Sequence, residues 1–241
     1  MALDILPVID VRNGVVVRAV KGRRDLYRPI ETPLSAGADP VAVASGLLRL
    51  HPFDKLYIAD LDAIEGNGHN TGAVMTLRQR FPKLDIWTDN GTAGAEAVYA
   101  WFGADRGTLV LGSESQIDGE TVRRFRHEPR LVLSLDFRAD AFQGPPELLD
   151  PARWPARVIA MTLARVGGTD GPDFERLEVL RSVHPACRIY AAGGVRGKAD
   201  LERLVQLGVN GVLVASALHD GRLDASEIAA FARSPQHPEG D

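Results

Sequence analysis

The stretch IWTDNGTAGAEAVYAWFGADRGTLVLGS, Ile86 to Ser113, is echoed at equal length by IYAAGGVRGKADLERLVQLGVNGVLVAS, Ile189 to Ser216. Each copy reads as a β-rich run, a glycine-containing turn, an amphipathic stretch and a second β-rich run. Working outward, IDVR at Ile9 resembles LDFR at Leu135, and YIADL at Tyr57 resembles VIAMT at Val158. Units one to four of the chain thus repeat as units five to eight. Strand–helix alternation alone fits a doubly wound open sheet as well as a barrel. A chain of two four-unit halves closes naturally into an eightfold barrel, whereas an open sheet has no reason to repeat in this way. The expected fold class is α/β, a single (βα)8 TIM barrel with a pseudo-twofold half-barrel repeat. It is expected over residues 1–234, and the polar, proline-containing RSPQHPEGD ending suggests a flexible tail over 235–241.

The strand candidates are ILPVID from Ile5, KLYIAD from Lys55, LDIW from Leu84, TLVLG from Thr108, LVLSLD from Leu131, RVIAMT from Arg157, RIYAA from Arg188 and GVLVA from Gly211. Most are continuous apolar runs, as expected where both faces of a parallel sheet are covered. Helix starts are read at Asp39-Pro40, Thr92, Asp173 and Asp224, each a capping residue before a periodic stretch. Two long connections, Arg12 to Ala38 and Ala139 to Pro155, follow strands that end in aspartate and are read as active-site loops, not domain boundaries.

The 241 residues suit one α/β barrel of roughly 250. Hydrophobic residues at 45% and charged residues at 25% are an ordinary globular mixture that can bury a substantial core. A net charge of −4, without a basic block, argues against nucleic-acid binding. No apolar run approaches the ~18 residues that suggest a membrane span. Cys187, the only cysteine, cannot form an intramolecular disulfide, and it precedes a strand-like run, which suggests a buried thiol. MALDILPVID lacks the features of a secretory signal, so a cytoplasmic protein is expected.

In a parallel barrel, substrate is reached from the C-terminal strand ends and the loops that follow them. Asp10 and Asp136 sit there and are related by the repeat, so they face each other across the mouth. Such a pair can divide general acid and general base work in an aldose–ketose rearrangement, one opening the sugar ring and the other taking the proton from C2. Helix capping or salt bridging is the bland alternative. AAGGV after strand seven and VASAL after strand eight offer backbone amides to an anion at Gly193, Gly194, Ala215 and Ser216, with a short helix from Ser216 adding its dipole. Tight turning alone would also call for these glycines. ARVGGTDGP after strand six places Gly168 and the Thr169 hydroxyl near the same mouth. Asp60, by strand alternation, is a candidate for the rim, as is Asp62. Arg18 and Lys21, with Arg23 and Arg24, lie in the first long loop and can meet an anionic substrate.

PVIDVRNGVVVRAVKG, YIADLDAIEGNGHN, AAGGVRGKADL and GVLVASALHDGRL together, in order and spacing, resemble the HisA/HisF family of histidine-biosynthesis isomerases and cyclases over nearly the whole chain. VVVRAVKG and ALHDGRL resemble the isomerase more than the cyclase. The resemblance implies an isomerase using Asp10 as base, Asp136 as acid and Thr169 as an assisting hydroxyl, with a phosphate at Gly168, Gly193, Gly194, Ala215 and Ser216. It implies a small phosphorylated metabolite as partner and no metal or organic cofactor. It says nothing of oligomeric state.

Three departures stand out. Where the isomerase has a glycine-rich phosphate motif after strand three, this chain has TDNGTAG, in which only Gly91 is retained and Asp89 would repel a second anion. Asn90, Thr92 or the first-loop arginines would have to rebuild that site. Asp-Gly-Thr after strand six is replaced by Gly167-Gly168-Thr169, and the Gly-Trp of the fifth loop is missing near Gly144. These departures resemble paralogues of the methanogen and methylotroph type. The expectation is an Amadori-type isomerase of a phosphorylated sugar or aminosugar. The alternatives are the histidine-pathway isomerase itself, a role in making a pterin-type one-carbon carrier such as tetrahydromethanopterin, and a non-catalytic phosphometabolite-binding subunit.

Overall fold

In a computed structural model that describes residues 2–233, all eight strand candidates are strands: β1 (Asp4–Arg12), β2 (Lys55–Asp60), β3 (Asp85–Asp89), β4 (Thr108–Gly112), β5 (Leu131–Arg138), β6 (Arg157–Thr162), β7 (Arg188–Ala192) and β8 (Gly211–Val214). Each pairs in parallel with the next, and β8 returns to β1 with Asp4 opposite Gly211 and Pro7 opposite Val214. The sheet is therefore a closed (βα)8 TIM barrel, and closure leaves no barrel edge for another chain to pair with.

The strands have two apolar faces, which explains their continuous hydrophobic reading. Outward residues such as Ile9, Ile58, Ile86, Leu133 and Ile189 pack under the helices. Inward residues Leu6, Tyr57, Trp87, Val132, Ile159, Tyr190 and Leu213 fill the barrel axis. Trp87 and Tyr190 occupy equivalent positions of the repeat and meet edge to face at the centre, ring centroids 4.9 Å apart. A buried aromatic pair of this geometry contributes ~0.5–1.5 kcal/mol beyond its area. At the N-terminal end Asp4, buried, accepts from Tyr190 Oη at 2.9 Å and Arg188 at 2.8 Å, closing the barrel floor with compensated charge.

The helices longer than a single turn are α1 (Pro40–Leu50), α2 (Thr71–Arg80), α3 (Ala95–Gly103), α4 (Glu120–Phe125), α5 (Phe174–Val183), α6 (Lys198–Gln206) and α7 (Ala225–Phe231). Asp39, Asp173 and Asp224 cap α1, α5 and α7 as expected, and Asp224 with Glu227 completes a reciprocal capping box. The start read at Thr92 is corrected: α3 begins at Ala95 behind Gly94, because Thr92 is held in a turn by Asn90 Oδ1, which accepts its amide at 3.3 Å and its hydroxyl at 2.6 Å. The fifth unit has no α-helix. Two 3-10 turns, Pro146–Leu149 and Pro151–Arg153, stand in its place, since prolines at 145, 146, 151 and 155 remove the amide donors a helix needs.

The first long connection is not an open loop. Asn13 and Gly14, both at positive φ (50° and 76°), turn the chain so that Val15–Arg18 pairs back antiparallel onto β1. Arg28–Pro29 pairs with that strand in turn. The tail expected over 235–241 lies outside the described residues. No described helix is long and apolar enough to cross a membrane.

Candidate active site

A cavity of about 100 Å³ opens at the C-terminal strand ends. Strand alternation places three carboxylates there: Asp10 from β1, Asp89 from β3 and Asp136 from β5. Asp89 and Asp136 are buried, 7% and 4% exposed, and Asp10 is half-buried at the cavity wall. Gly112 at the end of β4 keeps two of them together, since a Cβ there would lie 3.1 Å from an Asp89 oxygen and 3.4 Å from one of Asp136. Tyr57 Oη donates to Asp89 at 3.3 Å.

Desolvation dominates the protonation of all three groups. Burial raises Asp10 to about 7 against the lowering pull of Arg24 and Arg12. Burial and then the Asp89 charge raise Asp136 to about 7, and burial raises Asp89 to about 6. Arg24 and Arg12 pull Asp10 down, whereas the charges nearest Asp136, Asp89 and Glu114, push it up and its hydrogen bonds to Ser134 and the Glu114 amide pull it down. Asp10 has no side-chain hydrogen bond within the described chain and is open to a substrate. Asp136 is held by Ser134 Oγ at 2.7 Å and by the Glu114 amide at 3.2 Å.

On the other side of the mouth Gly193, Gly194, Ala215 and Ser216 line the cavity, and no side chain among the described residues accepts from their amides. Gly193 and Gly194 have φ of 100° and 86°, and a Cβ on Gly194 would stand 2.3 Å from Gly171 O, so the turn and its close approach to the β6 loop both require glycine. The helix after Ala215 is one turn, Ser216–His219, so this cradle rests on local amides, not on the dipole expected from sequence. The equivalent place in the first half is different. Gly91, counterpart of Gly194, donates its amide to Asp89 at 3.2 Å, and Ser113, counterpart of Ser216, is fully buried and accepts the Asp136 amide at 2.9 Å.

The first loop lies across this mouth. Arg24 lines the cavity and pairs with Glu114 and, at 3.8 Å, with Glu65, while Arg12 donates to the Arg24 carbonyl at 2.6 Å. Lys21 donates its amide to Val166 O at 2.6 Å, tying the loop to the one after β6.

Asp10, Asp136, Gly168, Gly193, Gly194, Ala215 and Ser216 all meet at the cavity. Thr169 is exposed and does not line it. Asp60 is corrected: it faces away from the mouth, buried, accepting from the Asn70 amide at 2.6 Å and side chain at 2.7 Å and capping Leu61–Ile64. Its strand neighbour Ala59 takes the inward position. Asn90 and Gly91 also lie outside the lining; Asn90 sits in a crevice with Thr88 and Trp101, and Gly91 backs onto Ile64. Arg18 pairs with Asp220 at 2.8 Å beside a smaller cavity that shares Asp10 and Ser216, and Lys21 points to Asp170 at 3.4 Å. Sequence reasoning missed Tyr57 and Glu114 and gave Asp89 no positive role. Period-two alternation from Trp87 to Asp89, and from Tyr57 to Ala59, was the signal available for two of them.

No group of three or more acidic, histidine or cysteine side chains among the described residues is arranged to hold a metal ion. The sequence matches the histidine biosynthesis protein family over residues 4–224. An uncharacterised protein of Methanocaldococcus jannaschii is 30% identical, the match covering 94% of this chain and 97% of that one. A phosphoribosyl imidazole-4-carboxamide isomerase of Symbiobacterium thermophilum is 28% identical over 96% of this chain and 97% of its own. The isomerase of the same name from Xanthomonas oryzae is 28% identical over 95% of this chain and its entire length. Because the match runs from β1 to beyond β8, the chain belongs to the histidine biosynthesis protein family.

Proposed function

We propose that the protein is an aldose–ketose isomerase acting on a singly phosphorylated sugar or aminosugar. The observation that carries this reading is the asymmetry of the mouth: one half-barrel lines its subsite with Gly193, Gly194, Ala215 and Ser216, free of any side-chain acceptor, and the other has turned the equivalent Gly91 amide onto its own carboxylate. In the first step Asp136, as acid, donates a proton to the ring oxygen as the C1–O bond opens. Asp10, as carboxylate, then removes the proton at C2, and the electron pair forms the enol or enolamine. Asp10 then returns its proton to C1 as the C2 hydroxyl gives its own to Asp136, which forms the ketose carbonyl and restores both groups to their starting states. Values near 7 for both groups let one hold and the other accept a proton at neutral pH. Arg24, above Asp10, favours the ionised base.

The test is turnover of a panel of singly phosphorylated aldoses and aminosugars in deuterium oxide. Wild-type protein should incorporate deuterium into the product, and Asp10→Asn or Asp136→Asn should lower kcat by about 10²–10⁴-fold. Unchanged function of both variants in cells would refute an enzyme and favour a phosphometabolite-binding subunit. The histidine-pathway isomerase is the second reading. It is favoured by the named relatives and by Arg138, the repeat counterpart of Arg12, which lines the mouth without an ion pair among the described residues and can meet a second phosphate. Rescue of an isomerase-deficient strain would decide for it.

A further inference from the structure

We propose that Asp89, supported by Tyr57, is a specificity-determining residue that selects a substrate bearing an amino group at the end opposite its phosphate. This deepens the reading of a singly phosphorylated substrate and rests on it. The repeat supplies the comparison. Position 89 corresponds to Ala192, the inward residue just before the Gly193-Gly194 cradle. In one half-barrel a small apolar side chain puts no acceptor of its own beside the Gly193-Gly194 turn at the cavity wall. In the other, a buried carboxylate fills that place and takes the Gly91 amide for itself. The exchange reverses the polarity of the subsite from donor to acceptor.

The surroundings complete the acceptor character. Asp136 lies beside Asp89 across Gly112, Asp10 faces both, and Glu114 adds a fourth carboxylate at the rim. Of the two arginines that line this mouth, Arg24 already pairs with Glu114 and Glu65, and Arg138 stands at the end of β5. Tyr57 Oη donates its single proton to Asp89 Oδ2 and the Gly91 amide donates to Oδ1, so one further lone pair on each oxygen stays open. A phosphate placed here would meet like charge, while a hydroxyl would gain hydrogen bonds only. An ammonium group gains hydrogen bonds and relieves the repulsion among the carboxylates.

The experiment compares binding of glucosamine 6-phosphate, glucose 6-phosphate and fructose 1,6-bisphosphate to wild type and Asp89→Asn by calorimetry. Asparagine keeps an oxygen to accept from Gly91 and Tyr57, and circular dichroism with a thermal melt verifies the fold. Wild type should prefer the amine to the hydroxyl by about tenfold, and the variant should bring the two within about threefold while binding the bisphosphate several-fold better. At pH 6.5 the amine should also release protons on binding to wild type, read from two buffers of different ionisation enthalpy, and fewer from the variant. An unchanged amine-to-hydroxyl ratio in Asp89→Asn would overturn this inference and leave the isomerase reading intact. Failure of all three phosphates to bind wild type would overturn the singly phosphorylated reading itself, and this inference with it.

Discussion

Asp10 offers a direct measurement of what the barrel mouth costs the fold. Its carboxyl makes no side-chain hydrogen bond within the described chain, so Asp10→Asn removes an ionisation and little else. In the folded protein the group titrates at about 7 against an ordinary value of 3.8. At 1.36 kcal/mol per pH unit, this corresponds to about 4 kcal/mol, an upper limit because the carboxyl borders cavity water that screens it. The sign follows from proton counting. Between pH 4 and 7 the native state holds a proton that the unfolded chain has released, so wild-type stability falls as pH rises through this window and levels off above it. Asp10→Asn lacks this dependence. Urea unfolding of both proteins at intervals from pH 4.5 to 8 should therefore show the variant gaining on wild type by up to about 1.4 kcal/mol per pH unit, and becoming the more stable protein at pH 8. Equal stability differences at pH 4.5 and pH 8 would refute the claim that this carboxyl is raised by desolvation.

Two further predictions concern packing. Gly46 of α1 has Leu34 O where a Cβ would stand, at 2.1 Å. Gly46→Ala should thus destabilise by ~1–3 kcal/mol in denaturant titration, despite alanine's better helix propensity, because a backbone carbonyl must move. Cys187 is 3% exposed, and burial pushes its thiol from 9.0 up to about 11. Native protein at pH 7.5 should react with a thiol reagent at least about a hundredfold more slowly than protein unfolded in urea, since thiolate is the attacking species.

Much of the architecture was written locally. Continuous apolar runs such as LVLSLD and TLVLG specify strands covered on both faces, and Asp39-Pro40, Asp173 and Asp224 specify helix starts through their own backbone hydrogen bonds. The half-barrel repeat adds closure, because equal halves demand equal partners. It also places Asp10 and Asp136 at the mouth, as strand-end residues of matching units. The first connection reads from sequence as a long loop, and its Asn13-Gly14 turn, a positive-φ pair of the kind hairpins favour, emerges only in the structure.

What the chain by itself left open depends on contacts between distant segments. Asp60 and Asp89 both end strands, and only the register and the pleat decide that Asp89 turns inward to Tyr57 while Asp60 turns outward to Asn70. Arg24 belongs to the mouth because Glu114, 90 residues away, draws the first loop across it. The raised pKa values of the three carboxylates come from a shared low-dielectric space assembled from β1, β3 and β5. Local sequence fixes how each unit folds, because backbone hydrogen bonds and apolar periodicity act over a few residues. Charge and desolvation act through space, so the chemistry of the mouth exists only once the barrel has closed.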